Sequence, residues 1–346
     1  MKLKGVTMNL TKDSEGKISW QKIVAKYAHP DLRKSIWQIV NTLVPFFGLF
    51  YLSMRSVDVS LWLTLPLAIL TAGFMIRAFI IFHDCGHGSF FKLQRANDLV
   101  GIVTGLLTFT PYYRWKHEHA IHHATCGDLD RRGVGDVYTM TVQEYLDAPW
   151  WKRLGYRVMR NPIALLLIGP VLVFVIGERI PPAKGRREIA NVWWTNLALV
   201  VIIPVMGLVF GWKNYLITQL LVLFFGTGVG VWLFYVQHNY LGVYWERHAQ
   251  WDYYKACMQG SSFYKLPAVL QWFSGNIGFH HIHHLSSKIP NYNLPKAYHE
   301  NTVFHIMPLT LLSSLGCLKW RLYDEANHRL AGWNVLKQYR RVTIPH

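Results

Sequence analysis

Long apolar runs separated by polar, basic stretches dominate this chain. Residues 36–54, 59–82, 194–210 and 215–236 each approach the roughly 20 apolar residues that a helix needs to cross a bilayer. The members of each pair lie only a few residues apart, which predicts two tight antiparallel hairpins. Two shorter runs, 99–113 and 163–177, fall below spanning length, and the second carries Gly169 and Pro170 at its middle. Such runs predict interfacial or re-entrant segments. The expected fold class is an all-α integral membrane protein, one domain over residues 1–346, with four transmembrane helices in two hairpins and a helical cap on one face.

Composition sharpens this picture. At 51% apolar and 16% charged residues, the chain is greasier than a soluble domain needs and too poor in charge to be disordered. Lys and Arg number 36 against 19 Asp and Glu, a formal charge of +17. Much of that excess sits between and after the short runs, at Arg114, Lys116, Arg131, Arg132, Lys152, Arg153, Arg157 and Arg160, then at Arg179, Lys184, Arg186 and Arg187. Cytosolic loops collect Lys and Arg, so four crossings with both termini inside place residues 1–35, 83–193 and 237–346 in the cytosol. The basic excess suits anionic lipid or an acidic protein, and no nucleic-acid partner is expected. Four scattered cysteines, Cys85, Cys126, Cys257 and Cys317, form no CxxC pair, which argues against a disulfide framework or a thiolate metal site. The opening segment through Trp20 is polar and mixed in charge, unlike a secretory signal. Arg77, in an otherwise apolar stretch, is expected to snorkel to the membrane surface.

The chemistry is carried by histidine. Eleven of the 17 histidines occupy four short places: HDCGH, HEHAIHH, His238 and HHIHH. Positions i, i+3 and i+4 share a helix face, so His83 and His87 can aim at a common centre. The two HxxHH triplets, His119, His122, His123 and His280, His283, His284, can each aim three imidazoles. Eight convergent nitrogens exceed the roughly four that complete one structural zinc site, and predict a dinuclear centre. His238 follows the last span directly in FYVQHNY, at the depth where such a site begins, and is read as a further ligand. His117 and His281 fall outside the triplets and are read as neighbours of the site or merely polar. Imidazole suits zinc, copper, iron and nickel alike. A zinc protease would need HExxH, but Ile121 stands where the second ligand after His117 and Glu118 belongs. Asp84, Glu118, Asp128, Asp136 and Asn276 lie close enough in sequence to be hydrogen-bond partners that fix the rings.

With these motifs, in this order and spacing, the chain resembles the membrane fatty acid desaturases. The phrases IFHDCGHGSFF, FYVQHNY, GSSFYKLP and GNIGFHHIHHLSSKIPNYNL are most similar to the Bacillus-type acyl-lipid (phospholipid) Δ5 branch. The resemblance implies an oxidoreductase that introduces a cis double bond into acyl chains of membrane lipids, using two Fe ions, O2 and two electrons per double bond. It also implies that His83, His87, His119, His122, His123, His280, His283 and His284 are iron ligands, with His238 as the ninth imidazole. Some relatives carry a fused cytochrome b5 marked by HPGG; here the only His-Pro step is His29-Pro30-Asp31. A separate electron donor such as ferredoxin or flavodoxin is therefore expected. Two rival readings stand beside this one: a hydroxylase or ketolase of the same superfamily, and, from another class, a His-rich divalent-metal transporter. A transporter calls for ionisable residues deep inside several spans, whereas Arg77 is the only basic residue within the four predicted here. Gly226 and Gly230 form a GxxxG step in the last span, expected to serve close packing within the chain. The sequence leaves the oligomeric state open.

Overall fold

A computed structural model describes residues 19–342; the opening segment before Ser19 lies outside the described residues. A short helix α1 (Trp20–Ala25) precedes the first hairpin, α2 (Leu32–Ser56) and α3 (Leu61–His87). Next come α4 (Gln94–Leu107), α5 (Tyr112–Thr125), α6 (Val142–Asp147), α7 (Trp150–Met159) and α8 (Gly169–Val175), and then the second hairpin, α9 (Arg186–Phe210) and α10 (Trp212–His238). The last third contains α11 (Tyr253–Gly260), strand β1 (Phe263–Lys265), α12 (Ala268–Phe273), α13 (His280–Leu285) and α14 (Leu294–Glu300), followed by β2 (Pro308–Thr310), β3 (Leu322–Asp324) and β4 (Arg329–Ala331). β1 pairs in parallel with β2, and β3 antiparallel with β4. The protein is helical, and α2, α3, α9 and α10 are long and apolar enough to cross a membrane.

Each spanning helix outruns its apolar core. Asp31 caps α2 by accepting the N–H groups of Arg33 (2.9 Å) and Lys34 (3.2 Å), which starts that helix ahead of residue 36. Ser60 accepts the Trp62 N–H at the start of α3, and Gly88, at φ 63°, ends it in the left-handed conformation that suits glycine. Helix α3 is the central element: 61% of its most apolar window is buried inside the protein, against 22% for α9. It packs against α2, α4, α5, α10 and α12. Hydroxyl pairs stitch α2 to α3, Ser56 to Thr64 at 2.9 Å and Ser53 to Thr71 at 3.4 Å. Gly226 lets α10 approach α3, since a Cβ there would collide with Met75, whereas a Cβ on Gly230 would meet open space. The GxxxG step thus works through one of its two glycines.

One expectation is refined and one is corrected. The second short run belongs to a bent pair, α7 with residues 164–179, that turns by 65°. The turn falls at residues 160–163, around Pro162, ahead of Gly169 and Pro170, and such a bend fits a re-entrant segment or a broken span. Arg77 does not snorkel. It is only 7% exposed, its guanidinium lies 3.9 Å from the Trp272 ring centroid, and it donates to the Trp272 carbonyl. Helix α12 folds over this part of α3, so the charge is answered by an aromatic face and a carbonyl instead of by water.

Candidate metal centre

The histidine motifs lie where α3 and α10 end and the cap begins. His83 and His87 are on the last turn of α3, His238 is the last residue of α10, and the two triplets are on α5 and α13. Their nine imidazoles fall into two groups, His83, His87, His119, His123 and His283 in one, and His122, His238, His280 and His284 in the other. Within each group the ligand atoms lie within 4.8 Å of one another.

Helix geometry explains this partition. In α5 the i, i+4 pair, His119 and His123, serves the first group, while His122, rotated to the neighbouring face, serves the second. In α13 the roles are exchanged: His280 and His284 serve the second group and His283 reaches across to the first. Each HxxHH triplet therefore straddles both subsites. The subsites abut where the His123 and His284 rings stack at 4.1 Å and 12°. His238 brings the second group to four.

The nitrogens are placed for a cation. His122 Nε2 lies 3.2 Å from His238 Nε2, which lies 2.9 Å from His280 Nε2, which lies 3.1 Å from His284 Nε2. In the first group His123 Nε2 is 3.1 Å from both His119 Nε2 and His283 Nε2. His122 Nδ1 faces Asp136 Oδ1 at 2.5 Å, and His238 Nδ1 faces the Gly260 carbonyl at 3.1 Å. Both partners can only accept, which assigns the ring protons to Nδ1 and leaves two Nε2 lone pairs facing each other. Lone pairs so opposed repel unless a positive ion lies between them. Two nitrogens each about 2.1 Å from one ion, at a right angle, stand about 3.0 Å apart. Among the described residues the buried Nε2 of His87 has no hydrogen-bond partner, as a nitrogen reserved for a metal should not. On this geometry the residues fit a metal pair.

Electrostatics point the same way. Burial, and then the neighbouring histidines, push the pKa values of His119, His123, His280, His283 and His284 well below the ordinary imidazole value. Neutral rings keep the lone pairs that metals require. Burial would raise the Asp136 pKa, but His122 beside it holds the carboxyl below its usual range. Asp136 is thus an anion whose charge-assisted bond orients His122.

The other candidate partners divide. Asp84 Oδ1 lies 3.1 Å from His83 Nδ1, and its Oδ2 accepts the Asn291 backbone N–H (2.7 Å) and side-chain amide (2.9 Å). Asn276 makes no hydrogen bond to these rings; its amide donates to the Asn291 carbonyl at 3.2 Å, supporting the turn that holds Asp84. Glu118 pairs with Arg114. Asp128 ties Arg131 and His248 together, away from the centre. His117 is exposed. His281 is buried, but its Nε2 donates to the Phe304 carbonyl at 2.8 Å, so it anchors α13 instead of joining either group. Sequence reasoning missed Asn291, Gln38 behind it at 3.2 Å, and the Gly260 carbonyl. A backbone carbonyl leaves no sequence signal; Asn291 lies inside a phrase noted only for its likeness.

Comparison with known proteins identifies the scaffold. The fatty acid desaturase family model matches residues 60–309, a stretch that contains all nine imidazoles. A fatty acid desaturase of Bacillus subtilis is 46% identical over 91% of this chain and 90% of its own length. An sn-1 acyl-lipid omega-3 desaturase (ferredoxin) of Nostoc is 28% identical over 80% of this chain and 77% of its own length. An sn-1 oleoyl-lipid 12-desaturase of Synechocystis is 27% identical over 74% and 71%. With its membrane helices, its two histidine groups and these likenesses, the chain belongs to the fatty acid desaturase family and is an oxidoreductase of that kind.

Proposed function

We propose that this enzyme is an acyl-lipid desaturase of the Δ5 type, working in the cell membrane with two iron ions at the histidine groups and O2 as co-substrate. The observation that carries the metal assignment is the division of nine buried or half-buried imidazoles into two adjoining groups with opposed Nε2 atoms. His83, His87, His119, His123 and His283 would hold one ion, and His122, His238, His280 and His284 the other. When bound, such a pair supplies with O2 the oxidising power to remove hydrogens from an unactivated methylene, which no side chain can supply. The protein contributes position and dryness. Asp84, Asp136 and the Gly260 carbonyl hold the rings of His83, His122 and His238, so no reorganisation is needed as charge develops.

The lipid substrate is supported by the acyl-lipid and oleoyl-lipid names of the cyanobacterial relatives. A ferredoxin or flavodoxin donor is supported by the ferredoxin in the Nostoc relative's name and by the basic loops, which would steer an acidic partner. Those same loops support a cytosolic face for the histidines and both termini, by the positive-inside bias. The test is expression in a host lacking such desaturases, followed by mass spectrometry of its membrane lipids. Loss of two hydrogens at the fifth carbon–carbon bond of the acyl chain is the expected outcome. Gain of an oxygen would instead mark a hydroxylase, and a double bond elsewhere would refute the Δ5 assignment.

A further inference from the structure

We propose that a lysine-lined groove at the membrane entry of α2 binds the headgroup phosphate of an anionic phospholipid in the adjoining leaflet. The groove has a volume of about 840 Å³ and lies between residues 26–34, residues 91–96 and the turn that opens α14. Lys26, Lys34, Lys92 and Lys296 line it, against one acid, Asp31. That acid is already engaged, since its Oδ1 accepts the first N–H groups of α2. Among the described residues Lys26 and Lys92 form no ion pair, and Lys296 has only a 3.9 Å contact to Glu300 with both side chains more than half exposed. Four positive charges therefore converge on a groove with almost no anion of its own.

The groove is built in advance. Asp31 N–H donates to Tyr292 Oη at 2.8 Å, and the buried Asn293 amide donates to the carbonyls of Tyr27 (3.1 Å) and His29 (3.3 Å). Lys34 Nζ donates to Asn293 Oδ1 at 3.2 Å. These bonds fix the wall, so a ligand need not order it. Asn291, two positions before Asn293, holds Asp84, so the groove backs onto the metal centre while containing none of its imidazoles.

The surroundings select a lipid over a free phosphate. Leu32 and Leu93, at the groove's edge, are 62% and 63% exposed. From Leu32 an i, i+4 stripe of exposed side chains, Ile36, Val40 and Val44, runs down α2. A lysine cluster above and an apolar stripe below match a phospholipid with its phosphate in the groove and its acyl chains along the helix. Soluble phosphate has no use for the stripe.

The experiment uses the full-length protein in nanodiscs of phosphatidylcholine doped with phosphatidylglycerol, and measures lipid retention by native mass spectrometry. The variant is K26Q/K92Q/K296Q. The control, K152Q/K255Q/K337Q, removes the same charge from exposed cap positions. Each lysine near an anionic headgroup is worth about fivefold, so the groove variant should retain phosphatidylglycerol about 100-fold less, with phosphatidylcholine unaffected and the control near wild type. Equal losses in both variants would mean diffuse positive charge and overturn the proposal, as would no loss in either. Displacement of the retained lipid by millimolar inorganic phosphate would overturn the lipid assignment. Should the triple variant fail to fold, K92Q alone must show the fivefold loss.

Discussion

Replacing Asp136 with Asn tests whether the two histidine groups are separate subsites. Among the described residues Asp136 is the one hydrogen-bond acceptor facing His122 Nδ1, at 2.5 Å, with the two side chains 9% and 1% exposed. The substitution keeps the shape and removes the charge. Loss of an outer hydrogen-bond partner to a metal-binding histidine costs about 10–100-fold in metal affinity, or about 1.4–2.7 kcal/mol. Since the bond is charge-assisted and shielded from water, the upper half of that range is expected. His122 belongs only to the second group, so the loss should fall on one ion. Anaerobic Fe(II) titration of the apoprotein should show one site at wild-type affinity and one weakened, with the thermal melt of the apoprotein little changed. Two sites of unchanged affinity would refute the role given to Asp136. Equal weakening of both would refute the partition into subsites.

Three further outcomes follow from the same geometry. His238→Ala leaves three imidazoles in the second group and should reduce bound iron to one ion per chain and abolish product, whereas His117→Ala, at an exposed position, should retain both; metal analysis and lipid profiling decide. Gly101→Ala should destabilise the protein by about 1–3 kcal/mol, read as a lower melting temperature, because the added Cβ collides with the Tyr112 ring, whose hydroxyl donates to the Cys85 carbonyl at 2.7 Å. Stripping metal with a chelator should lower the melting temperature and iron should restore it, because ions that bind only the folded state stabilise it; an unchanged melt would contradict occupancy of the site.

Much of this architecture can be read from the sequence because hydrophobic patterning and helical period act locally. The four spans are visible as apolar runs, but their ends are not. Helix α9 begins at Arg186, well before the run at 194–210, since a polar first turn at an interface is helical without being apolar. The convergence of the motifs follows from i, i+4 spacing. The allocation of His122 and His283 to opposite subsites does not, since it depends on how α5 and α13 are rotated against each other. Asp136 is a candidate by nearness in sequence alone, but its return to His122 across 14 positions runs through Gly133 and Gly135, at φ 106° and 68°, a turn no periodicity foretells. Arg77 was misread because hydropathy registers a charge in a span but not the tryptophan that α12 lays over it.

The most direct measurement is anomalous X-ray diffraction at the iron edge from crystals of the active, iron-loaded enzyme. Two peaks are predicted, one among the Nε2 atoms of His122, His238, His280 and His284 and the other among the imidazoles of His83, His87, His119, His123 and His283. A single peak, or iron outside these two groups, would contradict the dinuclear centre on which the proposed chemistry rests.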